Sequence, residues 1–449
     1  MSILRCRRSV AAAGGLGLAA ATILTAVTST ATANVAAAPS AGRVQPAIAS
    51  SPHYRVVGQT GQHPHETTFS CQTTTPAQCY GPTQIRAAYG VDKLAKLHAT
   101  GAGQTIVIID AFQSPTIASD LATFNNVFGM PSAPLNVIAP DGLTPFDQSN
   151  ADQTGWAGEI TLDVEWAHAI APAATIDLVL SKSDNDADIL SATEYAVNRH
   201  LGNVISQSFG EAEQCMDPAL LKQQHALFAK ATALGITLLA SSADQGAALP
   251  TCDGTAFFKA VSSPASDPNV TGVGGTILDA DGTTGAYHGE VVWNEPDFTS
   301  AGGGGFSTVY RTPSYQRSLG LHSRGVPDVS YNAAIIGGVL AVWSTSGQGA
   351  NLVFQFGGTS AGSPQWAGLI ALADQLGHHS QGALNSRLYA FAHGLLYPAL
   401  FHDITVGNNS YNDGTSNVPG FTAKRGWDAA TGIGTPRADR LIPLLALTR

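Results

Sequence analysis

The run Thr175-Ile-Asp-Leu-Val-Leu180 begins the part of the chain that decides the fold. A helical pattern at 187–199 follows it, then the apolar segment Asn203-Val-Ile-Ser206, a second helical pattern at 218–234, and the segment Ile236-Thr-Leu-Leu-Ala240. Short apolar segments that alternate with helices are typical of parallel strands covered on both faces. The sequence therefore predicts an α/β fold with a parallel sheet flanked by helices.

The same sheet is expected to include the segment Thr105-Ile-Val-Ile-Ile-Asp110, and organised structure should begin near Tyr80. Residues 34 to about 67 are rich in Ala, Pro, Ser, Gln and His and lack helical or strand periodicity, which indicates a leader or flexible arm. Neither a repeat nor a linker divides the rest. We expect a short leader at 34–79 followed by one large domain at 80–449.

Residues 1–33 have the pattern of a secretory signal peptide. Three arginines precede an Ala/Gly/Leu-rich run, and Ala31-Thr32-Ala33 fits a cleavage site. Removing this segment leaves 19 basic residues against 32 acidic ones, a net charge of about −13, which disfavours nucleic acid and anionic membranes as partners. No later segment is long and apolar enough to cross a bilayer. We expect a secreted protein.

Four cysteines lie beyond the predicted signal peptide, at positions 71, 79, 215 and 252. Four cysteines in an oxidising compartment allow three disulfide pairings. The closeness of Cys71 and Cys79 favours that pair, together with Cys215–Cys252. Their spacing and the lack of histidine partners argue against a zinc site.

A serine follows a glycine-rich turn in Phe356-Gly-Gly-Thr-Ser360-Ala-Gly-Ser-Pro364, and an apolar helical run begins directly behind it. This arrangement presents a hydroxyl at a helix N-terminus, where unpaired N–H groups favour developing negative charge. The same pattern also fits a simple helix N-cap. Ser360 is therefore a candidate nucleophile only if other features support it.

Two acidic features lie upstream of that serine. Glu159 and Asp163 are four residues apart and share one face of a predicted helix, surrounded by apolar residues that favour the perturbed pKa values of acid–base groups. Asp244 follows an apolar strand, and α/β sites lie at the carboxyl ends of parallel strands. A solvated acidic face and a turn residue are the respective alternatives.

A candidate calcium site lies near the C-terminus, where Asp403-Ile404 and Lys424-Arg-Gly426-Trp-Asp428 offer two carboxylates and several loop carbonyls. Calcium prefers such hard oxygen ligands, although loop acids are often merely solvated. The thirteen histidines show no His-Glu-x-x-His pattern, which leaves a zinc protease unsupported.

Taken in order, these residues resemble the sedolisin (serine-carboxyl peptidase) family, which includes the kumamolisins, over about residues 80–449. The resemblance is carried by stretches whose order and spacing match: Gly158-Glu-Ile-Thr-Leu-Asp-Val-Glu165, Ala171-Pro-Ala-Ala174, Val204-Ile-Ser206, Ser241-Ser-Ala-Asp244, Val273-Gly-Gly-Thr276, Arg324-Gly-Val-Pro-Asp-Val-Ser330, Gly358-Thr-Ser-Ala361 and Gly426-Trp-Asp428. It implies a subtilisin-like fold and an acid-acting endopeptidase for protein or peptide substrates, and a monomer is the default expectation for a secreted peptidase. Removal of N-terminal tripeptides is an alternative mode.

The resemblance also implies a role for each candidate residue. Ser360 would be the nucleophile, Glu159 its general base, Asp163 the partner of that base, and a protonated Asp244 the oxyanion donor. One Ca²⁺ would be held by the side chains or carbonyls of Asp403, Ile404, Lys424, Gly426 and Asp428.

Several positions depart from the family pattern. The leader is much shorter than the usual prodomain, Asp110 stands where kumamolisins often have Glu, Phe209 where Trp is common, and Lys424 where Gly is common. The sequence also allows three other interpretations: a subtilisin-type enzyme using Asp110 and His168, a glycosidase using Glu159 and Asp163, and an inactive secreted binding protein.

Overall fold

The computed structural model describes residues 52–60, 68–132, 134–349 and 352–448. The predicted signal peptide at 1–33 and much of the predicted leader lie outside these ranges. Within them, no helix has the length and apolar character needed to span a membrane.

The helices in chain order are α1 Pro82–Ala88, α2 Ile117–Phe128, α3 Ala151–Ile170, α4 Asp186–Arg199, α5 Pro218–Ala233, α6 Gly362–Gly377, α7 Asn385–His393, α8 Tyr397–Leu400 and α9 Ala438–Leu447. The strands are β1 His53–Gln59, β2 Cys79–Tyr80, β3 Thr105–Ala111, β4 Leu135–Ile138, β5 Thr175–Ser181, β6 Val204–Gln207, β7 Glu211–Ala212, β8 Thr237–Ser241, β9 Ala248–Pro250, β10 Phe257–Lys259, β11 Ser262–Ser263, β12 Val270–Ala280, β13 Tyr287–Val292, β14 Asn294–Glu295, β15 Ser300–Ala301, β16 Gly305–Arg311, β17 Ser323–Val326, β18 Val329–Asn332, β19 Gly338–Val342, β20 Leu352–Gly357, β21 Phe401–His402, β22 Tyr411–Asn412, β23 Asn417–Val418 and β24 Thr435–Pro436.

The main sheet has the order β13-β12-β8-β6-β3-β5-β4, and β18 also pairs with β12. All of its pairings are parallel except that of β12 with β13. The central strand β3 is almost completely buried because helices cover both faces of the sheet. The sequence prediction of a parallel α/β sheet is confirmed, and the predicted strands and helices agree with the observed ones to within about one residue.

Helix α3 passes through the interior and is buried at every position from Trp156 to Ile170. The amide side chain of Asn150 caps it by accepting hydrogen bonds from the backbone N–H groups of Asp152 and Gln153, at 3.0 and 3.1 Å. It packs against α6, where a Cβ on Gly368 would lie 2.7 Å from the Cβ of Ile170. The glycine therefore permits a close approach of the helix behind Ser360 to the helix that carries Glu159 and Asp163.

A second sheet has the order β1-β20-β19-β2, with β1 antiparallel to β20. The prediction that residues 34–67 lack strand structure is thus wrong for His53–Gln59. A seven-residue strand in a polar segment gives little local signal, and its partner lies about 300 residues away in the chain. Only the tertiary structure supplies the edge on which β1 forms.

The two favoured disulfides are both present. Cys71 pairs with Cys79 and Cys215 pairs with Cys252. The first disulfide ends at Cys79, the first residue of β2. The second connects the loop before α5 to the loop between β9 and β10. The pairing predicted from proximity in the sequence is confirmed.

Candidate active site

Ser360 lies in a single 3-10 turn, Thr359–Ala361, between β20 and α6. Its hydroxyl donates to the carbonyl of Ser208 at 3.3 Å, and the Ser208 hydroxyl donates to the carbonyl of Ser360 at 3.4 Å. Gly358 enters the turn at φ +127°, a backbone angle that favours glycine. The serine is thereby fixed against the loop that follows β6, at the carboxyl edge of the main sheet.

Three carboxyl groups converge beneath this serine. Glu159 and Asp163 lie on α3, which packs against the Ser360 turn, and Asp110 lies near the end of β3; all three are completely buried. The Asp163 carboxyl interacts with the hydroxyl of Ser208 and with the carboxyl of Glu159. Ser208, which hydrogen-bonds to Ser360, therefore also neighbours Asp163, and Asp163 neighbours Glu159.

The electrostatics of this network favour protonated carboxyl groups. Burial raises the pKa of Asp163 well above its usual range, and the charges of Asp110 and Glu159 raise it further. Burial likewise raises the pKa of Asp110, with a further contribution from Glu159. Several carboxyl groups this close cannot all be ionised, so the network holds protons that an isolated carboxylate would release.

Asp244 approaches the serine from the other side. Its Oδ1 accepts hydrogen bonds from the backbone N–H of Thr359 at 2.8 Å and from the Thr359 hydroxyl at 2.9 Å. Its Oδ2 lies beside Gly358, where a Cβ would be only 2.7 Å away. Burial raises the pKa of Asp244, while a charge on His53 and the Thr359 hydrogen bonds lower it. The predicted oxyanion residue thus borders the turn that carries Ser360.

The backbone next to Asp244 adopts an uncommon conformation. Ala243 has φ +89°, in a region that residues with a Cβ rarely occupy. Its N–H donates to the Thr359 hydroxyl at 3.1 Å, and its carbonyl accepts from the N–H of Gly303 at 2.7 Å. These contacts hold Asp244 against the serine turn. They also place the glycine run 302–305 alongside the site.

Three contributors to this site were not predicted from the sequence. Ser208 links Ser360 to Asp163, and its place directly after β6, at the carboxyl edge of a parallel strand, is a signal that would have identified it. Trp156 packs on Phe209 with ring centroids 5.9 Å apart, so an aromatic ring on α3 lies against the residue that follows Ser208. His53 lies on β1, and its contact with Ser300 depends on the tertiary fold.

The structure does not bring His168 to Asp110. Burial lowers the pKa of His168 to about 4, and its polar neighbours are the Pro131 backbone and Arg86. The charged neighbour that acts on Asp110 is Glu159. The subtilisin-type pairing of Asp110 with His168 therefore finds no support.

The C-terminal loop brings Asp403 and Asp428 to the same segment. Asp403 Oδ1 accepts from the hydroxyl of Tyr397 at 2.9 Å and from the N–H of Gly426 at 3.0 Å. The buried Asp428 accepts from the N–H groups of Lys424 at 3.0 Å and of Ala430 at 2.9 Å. Both carboxylates therefore face the loop 424–428.

The carbonyl groups of this loop complete the predicted ligand set. In the described part of the chain, no hydrogen bond ends on the carbonyl oxygens of Ile404, Lys424 or Gly426. The described residues also contain no cluster of three or more His, Cys, Asp or Glu side chains suited to a metal. Any ion held here would thus rest on two carboxylates and on backbone oxygens.

Comparison with known proteins places these features in context. No protein-family model matches the chain. Kumamolisin from Bacillus sp. (strain MN-32) is 32% identical over 413 residues, which cover 88% of this chain and 68% of that protein. Sedolisin from Pseudomonas sp. (strain 101) is 33% identical over 377 residues, which cover 80% of this chain and 60% of that protein.

A solved structure is similar over most of the chain. It is Pseudomonas sedolisin, a serine-carboxyl proteinase, in complex with two molecules of pseudo-iodotyrostatin. The TM-score is 0.71 at 29% identity, and the match covers 83% of this chain and 99% of that one. The likeness therefore extends over more than four fifths of this chain and nearly all of that one.

Proposed function

The chain belongs to the sedolisin family of serine-carboxyl peptidases, and we propose that it is an acid-acting endopeptidase that forms an acyl-enzyme on Ser360. The expectation of a subtilisin-like fold, with a parallel sheet flanked by helices in one large domain, is confirmed. One observation carries the proposal: Ser360 hydrogen-bonds to Ser208, beside which Asp163 and Glu159 lie together, while Asp244 is bound to the same turn.

In the proposed reaction, the Ser360 oxygen attacks the peptide carbonyl carbon while its proton passes to Glu159. The carbonyl π-electron pair moves to oxygen and forms a tetrahedral oxyanion. When this intermediate collapses, the C–N bond breaks and the amine leaves with the proton from Glu159. A water molecule then repeats the sequence on the acyl-enzyme and releases the acid. Asp163 would orient Glu159 and share its proton.

Asp244 would stabilise the oxyanion through its second carboxyl oxygen. Because Oδ1 already accepts two hydrogen bonds from Thr359, a proton on the carboxyl group belongs on Oδ2. That oxygen borders Gly358, close to the attacking serine. A carboxylate cannot donate, so activity requires Asp244 in its acid form and should fall as the pH rises through its pKa.

The substrate class follows from the same site. We propose protein or peptide substrates in unfolded regions, with the glycine run 302–305 admitting an extended chain beside Asp244. Export through the segment 1–33 and action as a monomer complete the proposal. An inactive secreted binding protein is the second candidate, because Asp110 and Phe209 depart from the residues common at those positions in the family.

We also propose one structural Ca²⁺ at the C-terminal loop. The carboxylates of Asp403 and Asp428 and the carbonyls of Ile404, Lys424 and Gly426 fit such an ion, because these carbonyls are not used within the loop. When bound, calcium would link the two ends of the segment 403–428. Ca²⁺ titrated into chelator-treated protein should raise its melting temperature, and D428N should abolish that rise. An unchanged melting temperature would refute the site.

The decisive experiment compares wild type with Ser360→Ala on an unfolded protein substrate at pH 3 to 7. Loss of a serine nucleophile lowers kcat by about 10⁶-fold in enzymes of this type. Ser363→Ala is a matched control, because Ser363 lies one turn further along and its hydroxyl forms a hydrogen bond with that of Ser206, at 2.9 Å. Cleavage that survives in the Ser360 variant would refute the mechanism. Folded wild type without cleavage at any pH would favour the binding protein.

A further inference from the structure

The N-terminal arm reaches the strand that leads to the nucleophile. Strand β1 runs antiparallel to β20 and sets His53 opposite Gly357. The chain continues from Gly357 through Gly358 and Thr359 to Ser360. A residue more than 300 positions upstream of the serine is therefore held beside its turn by a regular strand pairing, with Arg55 Nε bonded to Gln355 Oε1 at 2.8 Å.

Hydrogen bonds define the state of the His53 ring. His53 Nε2 lies 2.8 Å from the hydroxyl oxygen of Ser300. That hydroxyl has one proton, which it donates to the carbonyl of Phe298 at 2.9 Å. In the arrangement that satisfies both contacts, the Ser300 oxygen accepts a hydrogen bond from His53 Nε2. An imidazole that carries a proton on both ring nitrogens is a cation.

This cation lies next to the proposed oxyanion residue. The residue after Ser300, Ala301, donates its N–H to the carbonyl of Asp244 at 2.9 Å, which brings the partner of His53 alongside Asp244. Gly358, adjacent to the residue opposite His53, borders Asp244 Oδ2. Burial raises the pKa of Asp244, and the charge on His53 acts against that rise.

Other charged groups on the neighbouring elements are already engaged. Glu295 pairs with Ser300 across β14 and β15, and its carboxylate accepts from Trp293 Nε1 at 2.7 Å and from the N–H groups of Ile335 and Ile336 at 2.6 and 2.8 Å. Arg55 points its Nε to Gln355. From the serine turn, Asp244 meets only the neutral Thr359 among its described hydrogen-bond partners.

We propose that His53 is a positioning residue of the peptidase reaction, held by Ser300 so that its charge controls the proton on Asp244 and sets the upper pH limit of cleavage. The proposal rests on the role of Asp244 in the proposed function. A cation beside Asp244 favours the carboxylate, which cannot donate to the oxyanion. Removing the charge should therefore extend cleavage to higher pH.

The test is the pH profile of kcat/KM for full-length wild type and His53→Gln. The glutamine amide can still donate to Ser300 but carries no charge. We expect the alkaline limb to move to higher pH, with about three- to tenfold more kcat/KM at one pH unit above the wild-type limb, since an adjacent charge shifts a carboxyl pKa by about one unit or more. His322→Gln, an exposed histidine just before β17, is the matched control and should keep the wild-type profile.

Two further measurements keep the proposal separate from the proposed function. In an Asp244→Asn background the donor no longer titrates, so adding His53→Gln should move nothing. If His53→Gln cleaves poorly, the pH dependence of binding of a peptide aldehyde, an oxyanion-forming inhibitor, gives the same readout. The role of His53 is overturned if the alkaline limb of the His53→Gln profile does not shift. It is also overturned if mass spectrometry shows that the active protein lacks residues 53–59. Cleavage by Ser360→Ala overturns the proposed function instead.

Discussion

Replacing Arg324 by leucine should lower the melting temperature by about 4–6 °C. The side chains of Arg324 and Asp328 are both completely buried, and the guanidinium holds the carboxylate at 2.7 Å through Nη1 and at 2.5 Å through Nη2. The same carboxylate accepts from the Tyr389 hydroxyl at 2.9 Å and the Gly272 N–H at 2.8 Å. Removing Arg324 leaves a buried negative charge with neutral donors only.

The magnitude follows from that burial. Breaking a buried ion pair by removing one partner costs about 3–5 kcal/mol. Unfolding releases about 2.1 cal/mol/K of entropy per residue, or about 0.8 kcal/mol/K for a unit of roughly 400 residues, which converts this cost to about 4–6 °C. Calorimetry at one fixed pH measures the shift.

Two variants test the reasoning. Arg440→Leu removes an exposed arginine from Asp439, a contact of 3.4 Å, and should lower the melting temperature by about 1 °C or less. Adding Asp328→Asn to Arg324→Leu removes the unpaired charge and should recover part of the loss. If Arg324→Leu is no less stable than Arg440→Leu, the buried pair does not support the fold as argued.

Three further predictions concern stability. Burial lowers the pKa of His168 to about 4, whereas in the unfolded chain this histidine takes up its proton near pH 6.5. Wild type should therefore lose stability as the pH falls from about 6.5 to 4. Over the same range, the midpoint of urea unfolding should fall less steeply for His168→Gln. Burial raises the pKa of Asp374 to about 8, so the stability that its buried neutral carboxyl group contributes is lost as the pH rises from about 4 to 8. The urea midpoint of Asp374→Asn should fall less over this range than that of wild type, and an equally steep fall would contradict the prediction. Removing the disulfide Cys215–Cys252, with a sequence separation of 37, should lower the free energy of unfolding by about 4 kcal/mol through loop entropy. Removing Cys71–Cys79, with a separation of 8, should lower it by about 2.5 kcal/mol. Denaturant titration of the two variants, each with both cysteines replaced by serine, tests this ranking.

Local patterns were sufficient to predict the main sheet and the helix face that carries Glu159 and Asp163. Strands such as β3 are continuous apolar runs, and the four-residue spacing of Glu159 and Asp163 fixes them on one helix face whatever the rest of the chain does. Glycines and a helix start made Ser360 a candidate, and its role as nucleophile was inferred from the family resemblance. In these places the local sequence and the tertiary structure favour the same arrangement.

Other features depend on contacts between distant segments and could not be predicted in this way. Strand β1 forms because β20 offers an edge, and His53 reaches Ser300 only through that pairing. The place of Ser208 directly after β6 marks it as a candidate site residue, but its approach to Ser360 and Asp163 depends on how α3 and α6 pack beside that strand. A single sequence does not show which distant segments will pack together, because the residues of each segment carry no pattern that identifies the other.

The burial of α3 from Trp156 to Ile170 also couples folding to the uptake of protons. Glu165 and Asp163 on this helix and Asp110 beneath it are all held at raised pKa by burial. In a neutral solution the unfolded chain exposes them as carboxylates, so folding must take up protons from the solvent. Each proton taken up multiplies the ratio of folded to unfolded protein tenfold for every unit of acidification within the titration range. A weakly buffered refolding solution should therefore become more alkaline as the chain folds, and an acidic compartment would drive folding by mass action.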